Sequence, residues 1–196
     1  MSNRKIVHVV GTGTIGEPLI GLLCDYKDQL GIDEISFNKN TALRSDRSKV
    51  LSLLKRGANL AVNENKVDDF KNLGMEPKLE SKDAISRATA VIDCTPSGIG
   101  HKNKELYYHE FADSVKGFMA QGSEDGFGVK YARNINDSVI KEDDNCQFVQ
   151  NARRLDSMGK KLHDHQERGV FRGGQPRTQS NLRQRQQIVR LGLLQQ

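Results

Sequence analysis

The chain has 196 residues, a formal net charge of +5 and a mean hydropathy of −0.64. That length suffices for one buried core with a small appendage, and no apolar run approaches the ~18 residues of a membrane span. Three cysteines, Cys24, Cys94 and Cys146, form no Cys-x-x-Cys or Cys/His pairing at metal spacing, which argues against a disulfide framework and a metal site and for free thiols in a reducing cytoplasm.

Ile6–Val10 predicts a first strand, and its five apolar-leaning residues before the glycines are too short for a secretory signal. Val9-Val10-Gly11-Thr12-Gly13-Thr14-Ile15-Gly16 follows, opening a helix expected over Thr14–Leu30 with Gly31 at its end. Short strands are expected at Glu34–Phe37 and Asn59–Val62. Helices are expected over Arg44–Arg56, closed by Gly57, and over Glu64–Leu73, closed by Gly74. Ser81–Arg87 predicts a helix with Ser81 as N-cap and Asp83 in the first turn. Thr89–Asp93 predicts a strand, Lys102–Phe111 a helix and Val115–Ala120 a further strand. The alternation implies an α/β fold of Rossmann-like, doubly wound type, with a mostly parallel sheet and helices on both faces.

A Gly-x-Gly-x-x-Gly between strand and helix fits the phosphate-binding turn of a dinucleotide site. Gly11 allows the tight turn, Gly13 lets main chain approach a pyrophosphate, and Gly16 lets helix and strand pack closely. Thr14 and Ile15 then offer backbone N–H groups at the positive end of the helix. Pro18 is compatible with a first helical turn. An ordinary glycine turn is the competing explanation.

NAD usually finds a carboxylate for its ribose 2′-hydroxyl about 20 residues further on. Here the region reads Ser36-Phe37-Asn38-Lys39-Asn40-Thr41, and Asp33 and Glu34 lie at the wrong end of the strand. A cation with amide and hydroxyl neighbours suits a 2′-phosphate, so Asn38 and Lys39 point to NADP, or to tolerance of NADP and NAD. A solvent-facing polar turn capping the next helix remains the alternative.

Asp93-Cys94-Thr95-Pro96 ends a later strand on the edge where such sheets bind ligands, with Thr95 and Pro96 beside the cofactor and Gly98 shaping the loop. Gly122, in Gln121-Gly122-Ser123-Glu124, is placed toward the nicotinamide half. Cys94 reads as a buried filler rather than a nucleophile, and Cys146, just after Asp143 and Asp144, as structural. His163 and His165 do not share a helix face, and no metal ligand set or catalytic residue is assigned. His101 and His109 read as surface residues, His101 near the cofactor edge.

Residues 1–150 carry 20 Lys and Arg against 22 Asp and Glu, whereas residues 151–196 carry 10 against 3. Lysine gives way to arginine and glutamine rises from 4 to 8 across the same boundary. The expected organisation is therefore an NAD(P)-binding domain over 1–150 and a basic, irregular or helical tail over 151–196. Three origins compete for the tail: a disordered arm, a solvated helical extension, or read-through from a shifted frame. The high pI belongs to this segment and does not by itself call for nucleic acid as a partner.

Val91-Ile92-Asp93-Cys94-Thr95-Pro96-Ser97-Gly98-Ile99-Gly100-His101-Lys102-Asn103 resembles the Val-Ile-Asp-Cys-Thr-Pro-x-Gly-Ile-Gly-x-Lys-Asn run of the archaeal-type phosphorylating glyceraldehyde-3-phosphate dehydrogenases. The glycine turn, Asn38-Lys39-Asn40 and Gln121-Gly122-Ser123-Glu124 resemble that family's motifs as well, so the likeness covers about residues 4–150. It implies a homo-oligomeric glycolytic oxidoreductase that oxidises and phosphorylates an aldehyde to 1,3-bisphosphoglycerate, using NAD(P) and a cysteine nucleophile. The family's Ser-Cys-Asn-Thr run is expected just beyond Phe148-Val149-Gln150, but the chain continues Asn151-Ala152-Arg153-Arg154-Leu155. The expectation is thus a truncated chain, inactive alone, with apolar surface normally covered by a missing domain. The alternatives are the cofactor domain of another semialdehyde dehydrogenase, or a non-catalytic NADP-sensing module with an RNA-binding tail.

Overall fold

A computed structural model describes residues 4–121, 124–132, 136 and 147–151. These build an eight-stranded, all-parallel sheet in the order β4-β3-β2-β1-β5-β6-β8-β7. The strands are β1 (Ile6–Val10), β2 (Glu34–Asn38), β3 (Asn59–Val62), β4 (Leu79–Glu80), β5 (Ala90–Asp93), β6 (Gly117–Ala120), β7 (Val129–Tyr131) and β8 (Gln147–Asn151). The helices are α1 (Gly16–Asp25), α2 (Arg47–Lys55), α3 (Val67–Lys71), α4 (Ser81–Ser86) and α5 (Ile99–Leu106), with 3-10 turns at Arg44–Asp46, Glu64–Lys66 and Tyr108–Phe111.

Both faces of the sheet are covered, which is why β1 and β2 are buried throughout, even though β2 alternates apolar Ile35 and Phe37 with polar Glu34, Ser36 and Asn38. Val7, Val9, Phe37, Ile92 and Met119 pack on one face against Leu19, Ile20 and Leu23 of α1, Val50 and Leu53 of α2, and Phe70 of α3. Val10, Val91, Phe118 and Ala120 face the other side, against Ile85 of α4 and against Tyr108 and Phe127. Strand order runs outward in both directions from β1 and β5, so the two connections part there and leave a crevice at the carboxyl ends. The doubly wound α/β fold expected from the sequence is the one observed.

Several boundaries differ from the sequence expectation. Helix α1 begins at Gly16 rather than Thr14 and ends at Asp25 rather than Leu30, with turns up to Gly31. Helix α5 begins three residues earlier than expected, because Gly98 at its start hands its N–H to a buried carboxylate. The cap of α4 is Glu80 and not Ser81: the Glu80 carboxylate accepts from the Lys82 and Asp83 N–H groups. Ser81 turns inward, where its hydroxyl accepts from the Asn38 side chain at 3.0 Å. Strands β4, β7 and β8 were not anticipated.

Asp33 and Glu34 do lie at the amino-terminal edge of the sheet, away from the crevice. Asp33 accepts from the Lys5 N–H at 2.7 Å, and Glu34 bridges Arg4 and Arg87 at 3.2 and 2.8 Å. The expected roles of Gly122, Cys146, His163, His165 and the basic tail fall outside the described residues, apart from Asn151, which ends β8.

Candidate dinucleotide site

At the carboxyl end of β1 the chain turns through Gly11, whose φ is +94°, a conformation that favours glycine. A Cβ on Gly11 would also stand 3.2 Å from the main chain of Cys94 and Thr95, so the turn is pressed against the loop that leaves β5. A Cβ on Gly16 would come within 1.9 Å of the Gly11 carbonyl oxygen, while one on Gly13 would meet nothing within 4 Å among the described residues. The three glycines thus divide the work as the motif requires. Gly11 makes the turn, Gly16 lets α1 lie on it, and Gly13 leaves its outer side clear for main chain to reach an anion.

Helix α1 opens with no side-chain hydrogen bond at its cap residue Ile15, and the Glu17 N–H makes its bond to the Gly13 carbonyl at 3.1 Å. Its amino end points its dipole toward the turn. A pocket of about 580 Å³ lies over it, lined by Thr12, Gly13, Thr14, Glu17, Pro18, Lys39, Asp46 and Lys49. A volume of several hundred Å³ accommodates part of a nucleotide.

Lys39, from the loop after β2, reaches into this pocket. Its ammonium donates to Asp46 at 2.6 Å and to the Thr12 hydroxyl at 3.4 Å. The Lys39 hydrogen bond holds the Asp46 carboxyl below the usual carboxylate range. Lys49 stands 3.3 Å from Glu17. Asn38, by contrast, spends its side-chain amide on Ser81 and does not line the pocket.

The loop after β5 is built around a buried carboxylate. Asp93 accepts from the Thr95 N–H at 2.9 Å, from the Thr95 hydroxyl, from Asn103 at 2.9 Å and from the Tyr108 hydroxyl at 2.6 Å. Gln121 donates its amide to the Thr95 carbonyl at 2.7 Å, tying β6 to the same loop, while Pro96 stays exposed. Burial first, and then the Asp93 charge, push the Tyr108 hydroxyl well above its ordinary pKa, so it remains a donor. Tyr108→Phe is expected to lower unfolding free energy by about 1.5–3 kcal/mol, the usual worth of a hydrogen bond to a charged group. Chemical denaturation would measure it, and an unchanged midpoint would contradict this role.

Glu124 is fully buried and accepts from the Gly98 and His101 N–H groups at 2.7 and 3.3 Å, opposite the start of α5. Gly100 is needed beside it, since a Cβ there would stand 2.9 Å from the Glu124 side chain. Cys94 is buried, and its thiol is pushed far up by that burial and by the Asp93 charge, so it is a poor nucleophile. Cys24 is also shifted up by burial. No group of metal-binding side chains occurs among the described residues.

Of the residues singled out in the sequence, the structure sets the glycine turn beside Lys39, through Thr12, and beside Thr95, through Gly11. Sequence reasoning missed Asp46, Lys49 and Glu17 as pocket residues and Asp93 and Glu124 as organisers. For Asp46 a signal was present, an acid in the helical turn that follows the Lys39 loop.

No family model matches the chain. Among curated proteins, it is 27% identical over 119 residues to glyceraldehyde-3-phosphate dehydrogenase of Pyrobaculum islandicum, covering 61% of this chain and 32% of that protein. The Methanobrevibacter smithii enzyme is 28% identical over 143 residues, 70% of this chain and 39% of the relative. Glyceraldehyde-3-phosphate dehydrogenase 1 of Methanosarcina acetivorans is 32% identical over 107 residues, 55% and 30% of the two chains. The chain is similar to archaeal glyceraldehyde-3-phosphate dehydrogenases. It spans about a third of the length of these glyceraldehyde-3-phosphate dehydrogenases, and the family resemblance carried by its motifs is borne out over that part. No helix among the described residues is long and apolar enough to cross a membrane.

Proposed function

We propose that this chain is the NAD(P)-binding part of a glyceraldehyde-3-phosphate dehydrogenase, with its cofactor domain over residues 1–150 and a separate basic segment over 151–196. The observation that carries this reading is the clearance at Gly13 between two glycines that are sterically required, Gly11 and Gly16, at the mouth of a pocket holding Lys39. A bound dinucleotide supplies hydride-accepting chemistry, and this chain's residues supply its cradle. The backbone N–H groups of Thr14 and Ile15 meet the pyrophosphate, and Lys39 meets the adenosine ribose or its 2′-phosphate. Thr95 and Pro96 border the nicotinamide side.

The 196-residue chain by itself is expected to be inactive toward the aldehyde: the Cys94 thiol is buried and pushed up by that burial and by the Asp93 charge, and the Asp93 carboxylate is itself held by Thr95, Asn103 and Tyr108. The fluorescence of NADPH and NADH is expected to change on titration with the chain, and glyceraldehyde 3-phosphate with phosphate is expected to give no reduced cofactor. Unchanged fluorescence with both nucleotides would overturn the binding reading. Steady turnover would overturn the claim of inactivity.

A further inference from the structure

The pocket over the glycine turn contains two lysines and two carboxylates, and each lysine already has an acidic partner. The Lys39–Asp46 pair is the closer and better sheltered one, at 2.6 Å with side-chain exposures of 11% and 28%. The Lys49–Glu17 pair stands at 3.3 Å with exposures of 56% and 33%. Lys39 is therefore not a bare cation awaiting a phosphate.

We propose that Asp46 determines how this site discriminates between a ribose 2′-hydroxyl and a ribose 2′-phosphate, by holding the Lys39 ammonium that the phosphate would need. This rests on the dinucleotide reading of the pocket. A 2′-phosphate must share the Lys39 ammonium with Asp46 or draw it away, and in either case it lies beside a carboxylate whose charge Lys39 no longer fully compensates. A 2′-hydroxyl carries no charge and donates to the Asp46 carboxylate while the Lys39 contact stays intact. Lys39 favours the phosphate and Asp46 opposes it, so the preference is a balance of two side chains seven positions apart. The acid that the segment after β2 lacks in sequence is thus supplied from the 3-10 turn before α2.

Calorimetric titration with adenosine 5′-monophosphate and adenosine 2′,5′-bisphosphate isolates the effect, since the probes differ only in the 2′-phosphate. NAD and NADP serve as the full-length pair. In Asp46→Asn the affinity ratio of the 2′-phosphorylated probe to its partner is expected to rise about tenfold or more, through tighter binding of the phosphorylated form. Asp46→Ser should do the same, and adding Lys39→Met should cancel the gain. A change confined to structure would weaken all four ligands together and leave the ratio alone. A ratio within about twofold of wild type in both Asp46 variants, with melting temperatures preserved, would overturn the role of Asp46 while leaving dinucleotide binding in place. Failure of the wild type to bind any of the four would overturn both.

Discussion

Gly13→Val is expected to unfold at the wild-type midpoint and yet to lose dinucleotide binding. Among the described residues nothing lies within 4 Å of where the new Cβ would stand, so the first atom of the side chain enters open space. The branched side chain then occupies the space through which a pyrophosphate would approach the main chain. Losing two charge-assisted hydrogen bonds of about 1.5–3 kcal/mol each weakens binding about 100-fold or more. Gly16→Ala should behave in the opposite way. Its Cβ would fall 1.9 Å from the Gly11 carbonyl oxygen and 2.8 Å from the carbonyl carbon. Main-chain atoms cannot step aside as a flexible side chain can, so overpacking here should cost about 3 kcal/mol or more in stability. Equal loss of stability in both variants would show that the clearance at Gly13 is not what the geometry indicates.

Stability should fall steeply between pH 6.5 and pH 4, and His8 is the reason. The ring lies fully buried in the central strand β1, its Nδ1 is 2.8 Å from the Ser36 hydroxyl, and its Nε2 has no hydrogen-bond partner among the described residues. Burial lowers its pKa from 6.5 to about 3. Below pH 6.5 the unfolded chain takes up a proton that the folded one refuses, so each pH unit removes about 1.4 kcal/mol of stability. The loss reaches about 3 kcal/mol by pH 4, a large share of the 5–15 kcal/mol typical of a domain. Urea melts across this window test it. In His8→Leu the pH slope should flatten by about one proton, whatever the variant's stability at neutral pH. A slope identical to wild type would remove His8 from the account.

The parts of the fold that were legible in sequence are those where one strong local rule acts. Strands β1 and β3 have the expected bounds, because an apolar run at Ile6–Val10 meets a glycine turn and Asn59–Val62 follows Gly57. Legibility failed where two residues compete or where long-range pairing decides. Glu80 and Ser81 are both able to cap α4; Glu80 does so, while Ser81 is turned inward to accept from Asn38, 43 residues away. Strands β4 and β7 have two and three residues, too short for a periodic signal, and exist through pairing with β3 and β8.

The site divides along the same line. A glycine motif is a local backbone requirement and was readable. The Lys39–Asp46 contact depends on the path through the 3-10 turn at Arg44–Asp46. The burial of Glu124 depends on α5 packing against the segment after β6, and spacing alone does not disclose it.

Calorimetric titration of NADP and NAD into the wild-type chain and Gly13→Val, side by side, tests the central claim most directly. The account predicts saturable binding of at least one nucleotide below millimolar concentration to the wild type and its loss in the variant. No binding of either nucleotide at millimolar levels, or equal binding by both proteins, would contradict it.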